Sequence, residues 1–284
     1  MYGPENFPKI VGEGLAIADH AIFLSQAGDQ LRFCDTPGKA TKTMIYTLDL
    51  ESLGSPFGTL NHKLMLEMKE LLRQKWSNGG DWTIKCPMGT DLSGYLRSAD
   101  ISEEEINRFT VNLFPHGILP PISAENMQGV AVSRCFMSTQ NHRYQPDGLL
   151  LDDVVKMNVK NGCICNFEGK NAEFIQSHYT YVSNLFGIDA NNIHSWHTGH
   201  HPKTHYLRLM ESDLVRWGTV AFNSPRFTHL HTCGDYPPGE IAVIIIDATI
   251  TLNGEKLWDS GNLSFVNNPN VRSLLSKYHK NVDA

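Results

Sequence analysis

The stretch IAVIIIDATITLNGEKLWDSGNLSF, residues 241–265, limits the fold more than any other part of the chain. Its first six residues, 241–246, are all apolar; the run is the length of a strand and far short of the roughly eighteen that mark a membrane helix. Asn253-Gly254 follows, a pair that tolerates the positive φ angles a type I′ turn demands at both central positions. The segment therefore predicts two strands around a tight reversal.

Asn161-Gly162 repeats the signal between VVKMNVKNG and CICNFEG, which predicts a hairpin, while WTIKC at 82–86 and GVAVSRCF at 129–136 read as further strands. PMGTDLSG, between those two strands, reads as a polar loop. Helical spacing of Leu64, Met65, Met68, Leu71 and Leu72, with Asn61 as cap and Gly79-Gly80 as stop, predicts one helix. A second is expected from Ser102, with Glu105 closing a capping box and Ile106, Phe109 and Leu113 on its apolar side. NAEFIQSHYTYVSNLFG predicts a third, ending at Gly187, and VRSLLSKYHK a short C-terminal one. Residues 1–60, with AIADHAIFL and TKTMIYTLDL, read as short strands and loops. The fold class is mixed α and β, with a smaller N-terminal α/β region over 1–115 and a β-rich domain with flanking helices over 116–284, divided at the Pro-rich FPHGILPPISAEN.

A net charge of −6 and the lack of a Lys/Arg run argue against nucleic acid and anionic membrane as partners. The N-terminal residues show no basic region leading into an apolar run, so a cytoplasmic protein with reduced cysteines is expected. Cys163 and Cys165 form a C-x-C that suits a strand, and without a second cysteine pair it reads as packing.

Thirteen histidines over 284 residues would leave about two in any forty, yet seven lie between 194 and 231. Neutral imidazole is the commonest metal ligand and the commonest general base, so the concentration points to a site. His194, His197, His200, His201 and His205 sit in NIHSWHTGHHPKTHY, where Gly199 and Pro202 predict a loop. His229 and His231 form an H-x-H pair; if residues 228–232 are extended, both rings point to one side and can chelate one ion. Glu240 opens the apolar strand and adds a carboxylate. Two imidazoles and a carboxylate with open positions suit iron(II), and also zinc or manganese. Cys233 beside His231 offers a nucleophile, but CGDYPPG also reads as a turn that delivers Glu240. His20, His62, His116, His142, His178 and His279 read as structural or surface residues.

Several stretches in order, GTDL at 89–92, FPHGILPPISAENMQGVAV, FEGKNAEF, LFGIDANN, HSWHTGHHP, WGTVAF and the segment at 239–263, resemble the C-terminal domain of the aminopeptidase T-like metalloenzymes over roughly residues 80–265. That superfamily includes the iron-dependent 2,5-dihydroxypyridine dioxygenases. The resemblance implies that His197 is a metal ligand, and it aligns the family's H-x-D ligand pair with Glu240 and Ala242, so one ligand is replaced and one is missing. Glu125 stands near one carboxylate of the two-metal peptidase branch, whose remaining ligands have no evident counterparts. His229 or His231 is placed to complete a mononuclear site with His197 and Glu240, and His194, His201 or His205 to move protons. Trp196 and Tyr206 are candidates for the wall of an aromatic pocket.

These readings converge on a metal-dependent enzyme acting on a small molecule, iron(II) the favoured ion and ring-cleaving dioxygenation the favoured chemistry. Metal-assisted hydrolysis of an amide or ester uses the same ligands, and a non-catalytic binding protein is the third class. A homo-oligomer, in which a second subunit covers the site, is also an expectation.

Overall fold

Strand β7, Gln128–Met137, holds the molecule together. The computed structural model describes residues 9–24, 36–97, 111–138, 144–146, 148–232 and 240–279. Within them β7 belongs to an eleven-stranded sheet that also contains β3 (Gly80–Lys85), β4 (Asp91–Leu96), β6 (Ile122–Ser123), β8 (Gly148–Lys160), β9 (Cys163–Glu168), β10 (Ile193–Thr198), β11 (Phe227–Thr232), β12 (Ile241–Ile246), β13 (Thr249–Leu252) and β14 (Glu255–Trp258). β8 pairs along β7 from residue 129 to 137, whereas β4 meets it at residues 128–130 and β12 at 136–137. Side chains fill the interval between: Thr90 Oγ1 accepts from Val132 N at 2.9 Å, and Ser133 Oγ donates to Ile244 O at 2.6 Å.

From that junction the strand order runs β14-β13-β3-β4-β7-β12-β11-β10-β6. The sheet curls until its distant strands meet. Trp82 of β3 lies 5.3 Å from Trp196 of β10, ring to ring, and Trp258 Nε1 at the end of β14 donates to Gly199 O just past β10 at 3.0 Å. Trp82, Trp196, Leu230, Val243, Ile245 and Ile250 line the concave core, each wholly or almost wholly buried.

The first two helices set the smaller layer. α1 (Lys9–Ile17) precedes a three-stranded parallel sheet of β1 (His20–Phe23), β2 (Thr41–Ile45) and β5 (Val111–Phe114). α2 (Leu50–Gly54) begins where Asp49 accepts from Ser52 N at 2.7 Å, and α3 (Pro56–Thr59) where Ser55 caps a helix that starts with proline. Residues 9–60 thus hold the short strands expected in AIADHAIFL and TKTMIYTLDL, as β1 and β2, together with helices that were not expected; caps two residues before an apolar side chain are weak signals in so short a run. α4 (His62–Ser77) follows the expected pattern, with Leu64 N donating to Asn61 Oδ1 and with Leu64, Met65, Met68, Leu72 and Trp76 buried. Its Trp76 packs edge-on against Trp196 at 5.5 Å.

Both Asn-Gly pairs turn as expected, with φ of 50° and 70° at Asn161-Gly162 and 51° and 78° at Asn253-Gly254. The stretch 241–258 forms three strands rather than two, because Asp247 takes φ 54° and its carboxylate holds Arg226 at 2.6 and 2.8 Å, breaking the run after Ile246. DLSG likewise belongs to β4 and not to a loop, pairing Gly94 with Trp82 across the ladder. The helix expected from Ser102 lies outside the described residues up to 110, and Leu113, assigned to its apolar face, is in β5. α5 (Ala172–Phe186) ends at Gly187 with φ 66°, α6 is Leu214–Ala221, and α7 (Pro269–His279) packs on α4 through Tyr278 OH donating to Glu67 at 2.6 Å. No helix among the described residues is long and apolar enough to cross a membrane.

Gly94 shows how tightly the concave face is filled. A Cβ there would stand 2.2 Å from Trp82 Cζ2 and 2.6 Å from Cε2, and Trp82 has no room to retreat. Gly94→Ala is expected to cost about 1–3 kcal/mol, as overpacked core sites do. Urea unfolding checks this, and an unchanged midpoint would contradict it.

Candidate functional site

β10 and β11 are antiparallel neighbours in a register that sets His197 directly opposite His229 and Ser195 opposite His231. Alternation along each strand then sends His197, His229 and His231 to the face opposite Trp196 and Leu230. The three imidazoles stand in a close triangle. Ring centroids are 5.2 Å apart for His197 and His229, 4.5 Å for His197 and His231, and 4.8 Å for His229 and His231, with the first two pairs within 25° of parallel. Phe222, just after α6, meets His229 edge-on at 4.6 Å and closes one side.

Hydrogen bonds fix which nitrogen each ring offers. His197 Nδ1 lies 2.9 Å from the Leu119 carbonyl, which only accepts, so the neutral ring carries its proton there and keeps its lone pair on Nε2. His231 Nδ1 lies 2.9 Å from Glu240 Oε2, which leaves the same atom of that ring as the acceptor edge. Glu240 is buried, and Tyr144 OH donates to its backbone carbonyl at 2.6 Å. His229 is fully buried, and its Nδ1 has no hydrogen-bond partner among the described residues. Burial, then the neighbouring His231 and His197, hold its pKa well below the usual histidine value, so it is neutral at pH 7.

The donor chemistry fits a divalent transition ion: neutral imidazoles, two of them backed by a carbonyl or a carboxylate as metal-binding histidines usually are. The geometry is that of a triangle of rings, two pairs of which are close to parallel. Among the described residues no three His, Cys, Asp or Glu side chains converge as ligands of one ion. An ion lies in the plane of each ring that binds it, so near-parallel rings must rotate before they share one. An imidazole backed by a carboxylate is also a general base without any metal.

The four expected ligands, His197, His229, His231 and Glu240, thus come together, although Glu240 is engaged with His231. The expected proton carriers do not join them: His194 is exposed with Nδ1 3.2 Å from Ser195 Oγ, and His205 is exposed in the loop after β10. NIHSWHTGHHP is strand as far as Thr198 and loop only from Gly199, which puts Trp196 on the far face instead of in a pocket wall. Tyr206 is 39% exposed. Glu125 is exposed and pairs with Arg97 at 3.3 Å. Cys163 and Cys165 are free thiols in β9, and Cys233 and Asp235 lie outside the described residues.

No family model matches the chain, and no curated protein sequence does. A solved structure is similar. 2,5-Dihydroxypyridine dioxygenase from Pseudomonas putida KT2440 superposes with a TM-score of 0.56 over 90% of this chain and 74% of that one, with 12% sequence identity. The likeness is a distant one of fold, a mixed α and β architecture with a large curled sheet. No family model supports membership of the aminopeptidase T-like superfamily.

His201 belongs to a second group that the sequence did not single out. His116 and His200 stand 5.7 Å apart, ring to ring, and the ring of Phe57 meets His201 at 4.8 Å. His200 and His201 are fully buried and His116 nearly so, yet among the described residues both ring nitrogens of His200 and the Nε2 of His116 and of His201 have no hydrogen-bond partner. A buried polar atom left so costs about 1–3 kcal/mol. Burial pushes the pKa of His200 down to about 3 and that of His201 to about 4. The doubled His200-His201 was the available signal; His116, eighty-four residues before His200 in the chain, gave none.

Proposed function

We propose that this chain is a metal-dependent enzyme acting on a small molecule, with His197, His229 and His231 as the ligands and Glu240 as the residue that orients His231. The observation that carries the reading is the triangle of three imidazoles on adjacent strands, two of them backed at Nδ1 by Leu119 and Glu240. The fold of the dioxygenase neighbour favours iron(II) and ring-cleaving oxygenation of a hydroxylated aromatic compound over zinc or manganese chemistry. When bound, iron(II) supplies the binding of dioxygen beside a substrate oxygen. The chain's own groups do the rest: Phe222 excludes water from one side of the triangle, and the Glu240 carboxylate fixes the His231 tautomer and draws a proton toward Nδ1.

The test begins with metal content. Purified protein is expected to take up about one equivalent of iron(II) under anaerobic conditions, and His197→Ala and His231→Ala to lose it, with circular dichroism confirming their fold. Glu240→Gln is expected to weaken uptake by about 10–100-fold, as loss of a carboxylate behind a metal histidine does. Loaded protein is then assayed for oxygen consumption with 2,5-dihydroxypyridine and related diols. Unchanged metal content in both histidine variants sinks the proposal.

The Glu240 to His231 pair favours a second reading, hydrolysis of an amide or ester with His231 as general base. Release of amine from amino-acid amides, without oxygen uptake, would select it.

A further inference from the structure

We propose that the outer shoulder of α5 is the contact face of a homodimer, in which two copies of this chain lay the helix antiparallel about a two-fold axis. α5 packs on β8 and β9 and buries Ile175, Tyr179 and Val182. Beside that buried face Phe174, Tyr181 and Leu185 remain 51%, 45% and 46% exposed. His178, itself buried, lies in the same row, its ring 6.4 Å from that of Tyr181. Single apolar side chains on a surface are ordinary, but a helix turns polar residues to water, and a row at i, i+4, i+7 and i+11 is the stripe by which one helix docks on another.

A second copy fits this row because the row is symmetric. Phe174, His178, Tyr181 and Leu185 are separated by four, three and four residues, intervals that read the same from either end. Two such helices set antiparallel bring Phe174 of each copy level with Leu185 of the other, as a two-fold contact requires. His178 comes level with Tyr181, whose phenol can donate to an imidazole nitrogen.

The charges at the two ends follow the same intervals. Lys170 stands four residues before Phe174 and Asp189 four after Leu185, and both are exposed, so each lysine comes to the aspartate of the other copy. Lys170 meets Asp152 of its own chain at 2.5 Å, and an exposed ammonium has three N–H groups to share. The N-cap of α5 adds to the match. Asn171 makes no side-chain bond to the first turn; its Nδ2 donates to Asp152 Oδ1 at 2.9 Å. Asp189 of the other copy thus brings a carboxylate to the positive end of the helix, which favours one. A parallel pair would set lysine beside lysine and aspartate beside aspartate, so the charges select the antiparallel arrangement. One helix against another is a small interface beside the roughly 1,600 Å² of a standard one, and the expected dissociation constant is about 1–100 μM.

Sedimentation velocity of the full chain over a concentration series spanning that range is expected to show a monomer passing into a dimer. Tyr181→Glu and Leu185→Glu should each weaken association by about tenfold or more, as loss of a central apolar contact does, with urea midpoints close to wild type because both side chains are half exposed. Lys170→Asp and Asp189→Lys should each self-associate more weakly than wild type, since like charges then meet at both ends. An equimolar mixture of these two variants should associate more strongly than either alone, because in the mixed dimer opposite charges meet again at both ends. A wild-type chain that stays monomeric throughout, a dimer that Tyr181→Glu and Leu185→Glu leave intact, or a mixture no stronger than its components would each overturn the proposal. So would a monomer that binds phosphatidylcholine vesicles through Tyr181 and Leu185, which assigns the stripe to a lipid surface.

Discussion

Lowering the pH from 7.5 to 5 is expected to remove about 4 kcal/mol of stability through His200 and His201 alone, at about 1.4 kcal/mol per pH unit for each group. Both rings are neutral in the folded protein, their pKa values depressed to about 3 and about 4 chiefly by burial. In the unfolded chain they take up protons near pH 6.5. Above that pH neither state gains a proton and the contribution is constant. Below it the unfolded chain binds protons that the folded chain does not, so stability falls with pH until the folded values are reached. His116 and His229, also depressed by burial, act in the same direction. Urea unfolding at fixed ionic strength between pH 7.5 and 5 measures the slope, and His200→Gln should reduce it by one proton's worth. A stability that stays flat over this range would show that these rings are solvated.

Trp196→Ala is expected to cost about 3–5 kcal/mol, the range for deleting a large aromatic side chain from a core. Trp196 is wholly buried, and its ring is wedged between Trp76 of α4 and Trp82 of β3. Removing it separates the helix from the sheet and also opens the contact by which the curl closes. Trp196→Phe, which keeps an aromatic face, should recover a large part of the loss. The comparison distinguishes packing from cavity size, and equal midpoints for wild type and the alanine variant would rule out the closed sheet.

The parts of the fold that could be read in the sequence are those settled by neighbours along the chain. Asn161-Gly162 and Asn253-Gly254 need only their own φ angles, and α4 needs only its stripe and Asn61. Asp247 could not be read, because its positive φ depends on Arg226, twenty-one residues earlier. The triangle was half legible: His229 and His231 share a face by alternation alone, whereas His197 joins them through the register of β10 on β11. Leu119 and Glu240 behind the rings, and His116 beside His200, depend on long-range packing that leaves no local periodicity.

The curl also dictates an order of events during synthesis. β3, at residues 80–85, finds its outer neighbour in β13, at residues 249–252, and the Thr83 and Thr251 hydroxyls meet at 2.8 Å across 168 positions of sequence. At about 5–20 residues per second, a ribosome needs roughly 8–34 s to supply that neighbour. Throughout that interval the β3 edge, carrying Trp82 and Ile84, has no strand to pair with and invites pairing with other chains. The nascent chain is thus most exposed to aggregation before β13 emerges to cover the β3 edge.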